Sequence, residues 1–274
     1  MEEKRLKVGV VGCGGMGSGH LKNLKALESA LDIRVSCVAD VRPSCLKKAR
    51  EICPNIQCYE TGRELIEQSD ADWIHICLPT YLHAEHGILA MEAGKDVFIE
   101  KPVCLKPEDM DLLLQTAQKT GRKVMVGQVV RWFPEYRYLK QVYDSGKYGA
   151  LKSIVMRRTG GRPAWSFENW FMDMNRSGSV VMDLHIHDID FLRYLIGEPD
   201  RVEARAAKFA DGMPGQVLTI LEYKDVFASV EGLWDISTTM PFSSYYRASF
   251  ENATVEYDGL REQSKTVAVY PKEG

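Results

Sequence analysis

The chain of 274 residues is long enough for one large domain or two of ordinary size. Its 35 basic and 38 acidic residues, in a composition 45% apolar with no low-complexity tract, carry no excess charge that would draw nucleic acid or an anionic membrane. The opening residues MEEKRLKVGVVG hold no apolar signal-peptide core and no apolar run approaches a membrane span, while the seven cysteines form no CxxC pair, so reduced thiols and a cytoplasmic location are expected.

Residues 6–12, LKVGVVG, read as a short β-branched strand that runs into GCGGMG, residues 12–17, and then into the amphipathic stretch HLKNLKALESA. Strand, G-x-G-x-x-G and helix in that order form a dinucleotide-binding pattern. Gly12 permits the tight turn, Gly14 and Gly15 let backbone approach a pyrophosphate, and Gly17 lets helix and strand pack closely. Met16 opens the helix, whose amino-terminal N–H groups favour phosphate. The next strand, IRVSCVAD, ends in Asp40, a carboxylate suited to a ribose 2′-hydroxyl and hostile to a 2′-phosphate. Arg42 lies two residues on and suits either adenine stacking or a 2′-phosphate, so NAD is expected and NADP stays possible. The competing reading is a flavodoxin-like sheet that binds no dinucleotide.

Alternation continues. Residues 44–52 and 61–69 read as helices, 72–79 as a buried strand, 82–94 as a helix, and DVFIEKP as a strand. A helix over about 107–120 and the strand KVMVGQ complete the pattern. Helices between strands imply parallel βαβ units, whose ligands lie beyond the carboxyl ends of the strands. Gly12, Asp40, Pro79, Thr80, His83, Glu100 and Lys101 then share one rim. The sequence DVFIEKP poses its own problem, because charges at the edge of a core are costly unless used. Pro102 restricts Lys101 as well as itself, so this lysine is pinned where a cofactor's reactive end can lie.

Past residue 128 the pattern changes. Residues 133–146 read as a helix, LKSIVMRRTGG as a strand, and GSVVMDLHIHDIDFLRYLIG as one long helix. Six strand-like runs follow, RVEARAAKFA, QVLTILEYK, VFASVEGLW, YYRASFEN, ATVEYD and TVAVY, with short turns that favour a meander. The expected architecture is α/β: a doubly wound Rossmann domain over 1–128, then an α+β domain over 129–274 with an open, mainly antiparallel sheet.

Asp183 and His187, four apart in that helix, would share a face, and His185 would point elsewhere. An Asp–His pair beside a pinned lysine is a workable acid/base group. The plainer alternative makes Asp183 an ordinary ion-pair partner and His187 a packing residue. His83, Glu85 and His86 resemble metal spacing without a third ligand, and no metal is expected. Trp165 and Trp170 suit either sugar stacking or interface packing.

Three blocks together resemble the glucose–fructose oxidoreductase / inositol 2-dehydrogenase (Gfo/Idh/MocA) family. They are GCGGMG with Asp40, LPTYLHAEHGILAMEAGKDVFIEKPV, and SGSVVMDLHIHDIDFLRYLIGEP. Thr80 stands where the family usually has asparagine, and Ser179 where it has the second of two glycines. The resemblance implies an NAD(P)-dependent dehydrogenase acting on a carbinol of a sugar, cyclitol or sugar derivative. In that scheme Lys101, Asp183 and His187 are catalytic, Lys101 also reaches the nicotinamide ribose as a cofactor contact, and Arg131, Trp165, Trp170 and His187 meet a polyhydroxylated substrate. It also implies a cis Lys101–Pro102 bond and a homo-oligomer formed through the C-terminal sheet. Members of the family usually run on further, so a partner subunit would cover an edge or face left bare here. The alternatives within such folds are a non-catalytic NAD-binding regulator and a glycosidase that redox-cycles bound NAD.

Overall fold

Short, β-branched runs buried on both faces require helices on both sides of a parallel sheet, and the amino-terminal half takes this form. The computed structural model describes residues 5–163, 165–235, 237, 239–260 and 267–272. The chain divides into two compact units, Met1–Gly127 and Gln128–Gly274.

In the first unit β1 (Leu6–Val11), α1 (Gly15–Leu27), β2 (Ile33–Ala39), α2 (Pro43–Ile52) and β3 (Gln57–Tyr59) come in succession. After them come α3 (Gly62–Gln68), β4 (Trp73–Ile76), α4 (His83–Glu92), β5 (Asp96–Ile99), α5 (Pro107–Thr120) and β6 (Val124–Val126). The six parallel strands lie in the order β3-β2-β1-β4-β5-β6, the doubly wound arrangement. Val8, Val10, Val11, Ile74, Ile76, Val97 and Ile99 are almost wholly buried, as a sheet covered on both faces demands. Helix starts follow local chemistry. Proline occupies the first turn of α2 and α5, where a missing N–H costs nothing. Thr61 and Glu64 form a reciprocal capping box at α3, each bond 3.2 Å. Strand β3 was not legible in the sequence: three residues between two helices give no periodicity to read.

The second unit holds α6 (Pro134–Ser145), β7 (Leu151–Gly161), α7 (Met174–Ser177) and α8 (Ile186–Leu195), the last preceded by a π-helical turn over Val181–His185. Six strands follow: β8 (Arg201–Lys208), β9 (Pro214–Glu222), β10 (Phe227–Asp235), β11 (Ser243–Phe250), β12 (Ala253–Asp258) and β13 (Ala268–Pro271). Their order is β13-β12-β11-β7-β10-β9-β8. Every pairing is antiparallel except β7 with β10, so the sheet is not the simple meander the turns suggested. The early strand β7 inserts between two later hairpins, and no local turn signal records that.

One face of this sheet is covered. Tyr136, Leu139 and Val142 of α6 and Phe191, Leu192 and Leu195 of α8 pack on Ile154, Met156, Val230, Tyr246 and Ala248. Alternation along β9 leaves Leu218 and Ile220 on the opposite, open face. Among the described residues no helix is long and apolar enough to cross a membrane, and all seven cysteines are free thiols.

Candidate functional site

The carboxyl ends of β1, β2, β4 and β5 carry the rim residues of the first unit. Gly12 turns the chain at φ +87°, and a side chain there would press its Cβ to 2.6 Å from the Cys77 carbonyl oxygen. At Gly17 a Cβ would collide with the Gly12 carbonyl oxygen. Around Gly15 there is open space for 4 Å, and no side chain caps α1 at Gly14. An uncapped helix start beneath open space, beside glycines that admit nothing larger, fits a pyrophosphate. Met16 stands exposed on the first turn.

Asp40 follows β2 and is nearly buried. Its Oδ2 accepts the Cys13 N–H at 2.8 Å and Arg42 Nη2–H at 3.0 Å; its Oδ1 accepts the Arg42 backbone and Nε N–H groups, each at 2.9 Å. Burial alone would push the Asp40 carboxyl up, but the guanidinium and two backbone donors outweigh it and hold the carboxyl below its usual range. About four lone-pair sites are thereby filled, so any further donor reaches Asp40 only by displacing one of these bonds. Arg42, expected to stack on adenine or meet a 2′-phosphate, has its guanidinium and backbone N–H on Asp40.

Thr80 is buried at the start of a 3-10 turn over Thr80–Leu82 that follows Pro79. His83, expected among cofactor ligands, is instead buried with Nδ1 2.7 Å from the Pro102 carbonyl and Nε2 2.8 Å from the Leu78 carbonyl. Both nitrogens face backbone carbonyls, and burial lowers its pKa, so the neutral ring donates its single N–H to one of the two. Glu100 and Lys101 close β5, and the Lys101–Pro102 bond is cis. Glu100 Oε1 lies 2.7 Å from His20 Nε2, and Glu100 Oε2 accepts the Lys101 N–H at 3.2 Å.

In the second unit the expected long helix is two structures. The Ile186 N–H bonds back to the Val181 carbonyl, five residues earlier, so Asp183 sits in a π turn and His187 in the first turn of α8. Simple i, i+4 geometry therefore does not describe the pair, and π turns recur at functional sites. His185 does point elsewhere. Its Nε2 lies 2.8 Å from Thr219 Oγ1 on β9, and burial lowers its pKa to about 4. Gly232 makes room for it, since a Cβ there would meet His185 Cβ at 2.9 Å.

Asp188 and Asp190 anchor α8. Asp188, fully buried, accepts from Arg158 Nη2 at 2.8 Å and Nε at 3.2 Å, and Arg158 Nη2 also donates to Tyr136 Oη at 2.9 Å. Arg131, expected to meet substrate, gives two donors to Asp190, at 2.6 and 2.7 Å, and lies over the Tyr194 ring. Trp170 stacks on Phe171 with centroids 3.9 Å apart, whereas Trp165 is 77% exposed. Glu168 and Asn169 between them hold φ near +50°, a strained conformation for residues with side chains. Among the described residues no cluster of His, Cys, Asp and Glu suits a metal ion.

Glycine turn, uncapped helix, buried acid and strand-end lysine define the class: an NAD-binding Rossmann domain followed by a helix-backed open sheet. A family model described as an oxidoreductase family with an NAD-binding Rossmann fold matches residues 6–128, and the GFO/IDH/MocA C-terminal domain matches 136–256. The chain belongs to the Gfo/Idh/MocA oxidoreductase family. It is 32% identical over 207 residues to myo-inositol 2-dehydrogenase of Thermotoga maritima, covering 76% of this chain and 58% of that protein. It is 28% identical over 276 residues to scyllo-inositol 2-dehydrogenase (NAD(+)) of Bacillus subtilis, covering 97% of this chain and 77% of that one. A levoglucosan dehydrogenase in complex with NADH and levoglucosan shares the fold, with a TM-score of 0.86, 21% identity, and coverage of 99% of this chain and 77% of that one. The chain spans less than two thirds of the Thermotoga protein's length.

Proposed function

We propose that the chain is an NAD-dependent dehydrogenase that oxidises a carbinol of a cyclitol or sugar-derived polyol, reversibly. The observation that carries this reading is Lys101, held at the end of β5 on the same rim as the glycine turn. Gly12, Gly14, Gly15, Met16 and Gly17 hold the pyrophosphate, and Asp40 with Arg42 meets the adenosine ribose. Pro79, Thr80 and Glu100 line the rim toward the reactive end. NAD supplies a hydride acceptor when bound.

Within this scheme a ring nitrogen of His187 takes the hydroxyl proton as the carbinol becomes a carbonyl. Lys101 Nζ stabilises the negative charge developing on that oxygen, and Asp183 orients the acid/base group. General-base and oxyanion contributions of this kind are each worth about 10²–10³-fold in rate. Trp165 and Trp170 offer faces to a polyhydroxylated ring. Arg131 acts there through Asp190 and α8, since two of its donors already meet that carboxylate.

The open sheet face supports a homo-oligomer. Exposed Leu218, Ile220 and Phe227 lie there, with Arg157 and Arg247 interspersed among Glu231 and Glu256, a mixture of charges that can complement itself across a two-fold axis. Sedimentation of Phe227→Asp as a smaller species than wild type is the expected result. The family's chemistry and the free thiols support a cytoplasmic location.

The test is a paired titration with NADH and NADPH followed by nicotinamide fluorescence, then a panel of inositols and sugars scored for NADH formation. Tight NADH binding with turnover of a cyclitol is expected. NADH binding without turnover of any polyol would favour a nucleotide-binding regulator, and NAD that co-purifies without accumulating as NADH would favour the redox-cycling glycosidase.

A further inference from the structure

Two histidines of the first unit that have no role above, His20 and His75, meet in one cluster. His20 is on α1, His75 on β4, and Glu100 ends β5, so three separate elements meet. His20 Nδ1 lies 3.1 Å from His75 Nδ1, and His20 Nε2 lies 2.7 Å from Glu100 Oε1. Phe98 closes the cluster, stacked on His75 at 4.8 Å and 5.3 Å from the His20 ring. Glu100 and His20 keep only 12% and 18% of their side-chain surface in solvent.

A carboxylate only accepts, so His20 Nε2 carries a hydrogen toward Glu100. His75 is neutral, because burial and its neighbour His20 lower its pKa to about 3. The Nδ1–Nδ1 contact ties His75 to His20, and the other ring nitrogen of His75, Nε2, is buried without a hydrogen-bond partner among the described residues, so the cluster is closed on the His75 side and its remaining polar link runs from His20 to Glu100.

Glu100 passes the constraint on. Its second oxygen accepts the Lys101 N–H at 3.2 Å, and beyond Lys101 the Pro102 carbonyl meets His83 Nδ1 at 2.7 Å. The segment that bears Lys101 is therefore gripped on both sides. We infer that His20 is a positioning residue for Lys101: from α1 it fixes the Glu100 carboxylate, which in turn fixes the backbone on which the reacting ammonium rides. His83 holds the other side of the same segment. The inference rests on the dehydrogenase reading for its catalytic consequence and on geometry alone for its structural one.

The experiment compares wild type with His20→Leu and His20→Gln, the latter keeping a donor for Glu100. Three quantities are read: kcat and KM on the best polyol, the Kd of NADH, and hydrogen exchange at the Lys101 amide. His20→Leu is expected to lower kcat about 10- to 100-fold, the scale of a hydrogen bond to a charged group. NADH affinity should change less than about twofold, exchange at Lys101 should accelerate about tenfold or more, and His20→Gln should restore most of both losses. Where His20→Leu fails to fold, His20→Asn, too short to reach Glu100 yet able to meet His75, carries the same expectation. Turnover and exchange both unchanged in the leucine variant would overturn the inference. So would equal loss of kcat and NADH affinity with no rescue by glutamine, the mark of a packing role. A wild type that turns over no polyol, but whose Lys101 amide still responds to His20, would overturn the dehydrogenase reading and leave the positioning role standing.

Discussion

Removing the carboxylate of Asp188 is expected to destabilise the second unit more than any single surface change. Asp188 is 0% exposed and Arg158 is 3% exposed, joined by two bonds at 2.8 and 3.2 Å, with Tyr136 as a third member. A guanidinium cannot shed its proton, so Asp188→Leu leaves a buried charge with no counter-ion. Breaking such a pair costs about 3–5 kcal/mol, against a total stability of about 5–15 kcal/mol for a domain. For a unit of this size each kcal/mol shifts Tm by about 2–4 °C, so a fall of roughly 10 °C is expected. Differential scanning calorimetry with urea titration measures it. Arg158→Met combined with Asp188→Leu should recover most of the loss, because a buried ion pair and an apolar pair of similar volume are often near equal. A single variant within about 1 kcal/mol of wild type, or a double variant worse than either single, would refute the account of α8 as tethered by this pair.

Asp40→Ala is expected to lower the NADH preference over NADPH by about 10- to 100-fold, since it removes the acid that repels a 2′-phosphate and releases Arg42 to meet one; the paired fluorescence titration reads it. Ser179, buried at φ +62° where a glycine would be unstrained, makes Ser179→Gly a stabilising change of about 1 kcal/mol, measured as a rise in urea midpoint at unchanged turnover. His185, with a pKa lowered from 6.5 to about 4, contributes stability that is complete above pH 6.5 and lost as pH falls toward 4. Between pH 7 and 5 that loss is about 2 kcal/mol by linkage, and His185→Gln, which can keep the Thr219 bond without titrating, should flatten the urea-midpoint profile by that amount.

The sequence made local geometry plain and long-range partners invisible. Pro107 and the run to Thr120 mark α5 to the residue, because proline at the first turn and an amphipathic period are local signals. Strand β7 was equally legible, but its place between β10 and β11 was not, since pairing over long separations leaves no trace in neighbouring residues. The same holds at the site. The glycines and the strand-end lysine announce themselves, whereas His20 and Glu100 are 80 residues apart and neither alone suggests the other. The π turn was missed because an inserted backbone hydrogen-bond register has no side-chain signature in VMDLH. A rim position in the sequence likewise says nothing of which carbonyls the His83 ring faces.

Hydride transfer from a cyclitol carbon to NAD is measured by supplying NAD and myo-inositol deuterated at its ring carbons and reading deuterium in the product NADH by mass spectrometry. Deuterated NADH is expected from wild type and about 10²–10³-fold less from Lys101→Met at saturating NAD. Unlabelled NADH, or equal rates in the two proteins, would contradict this chemistry.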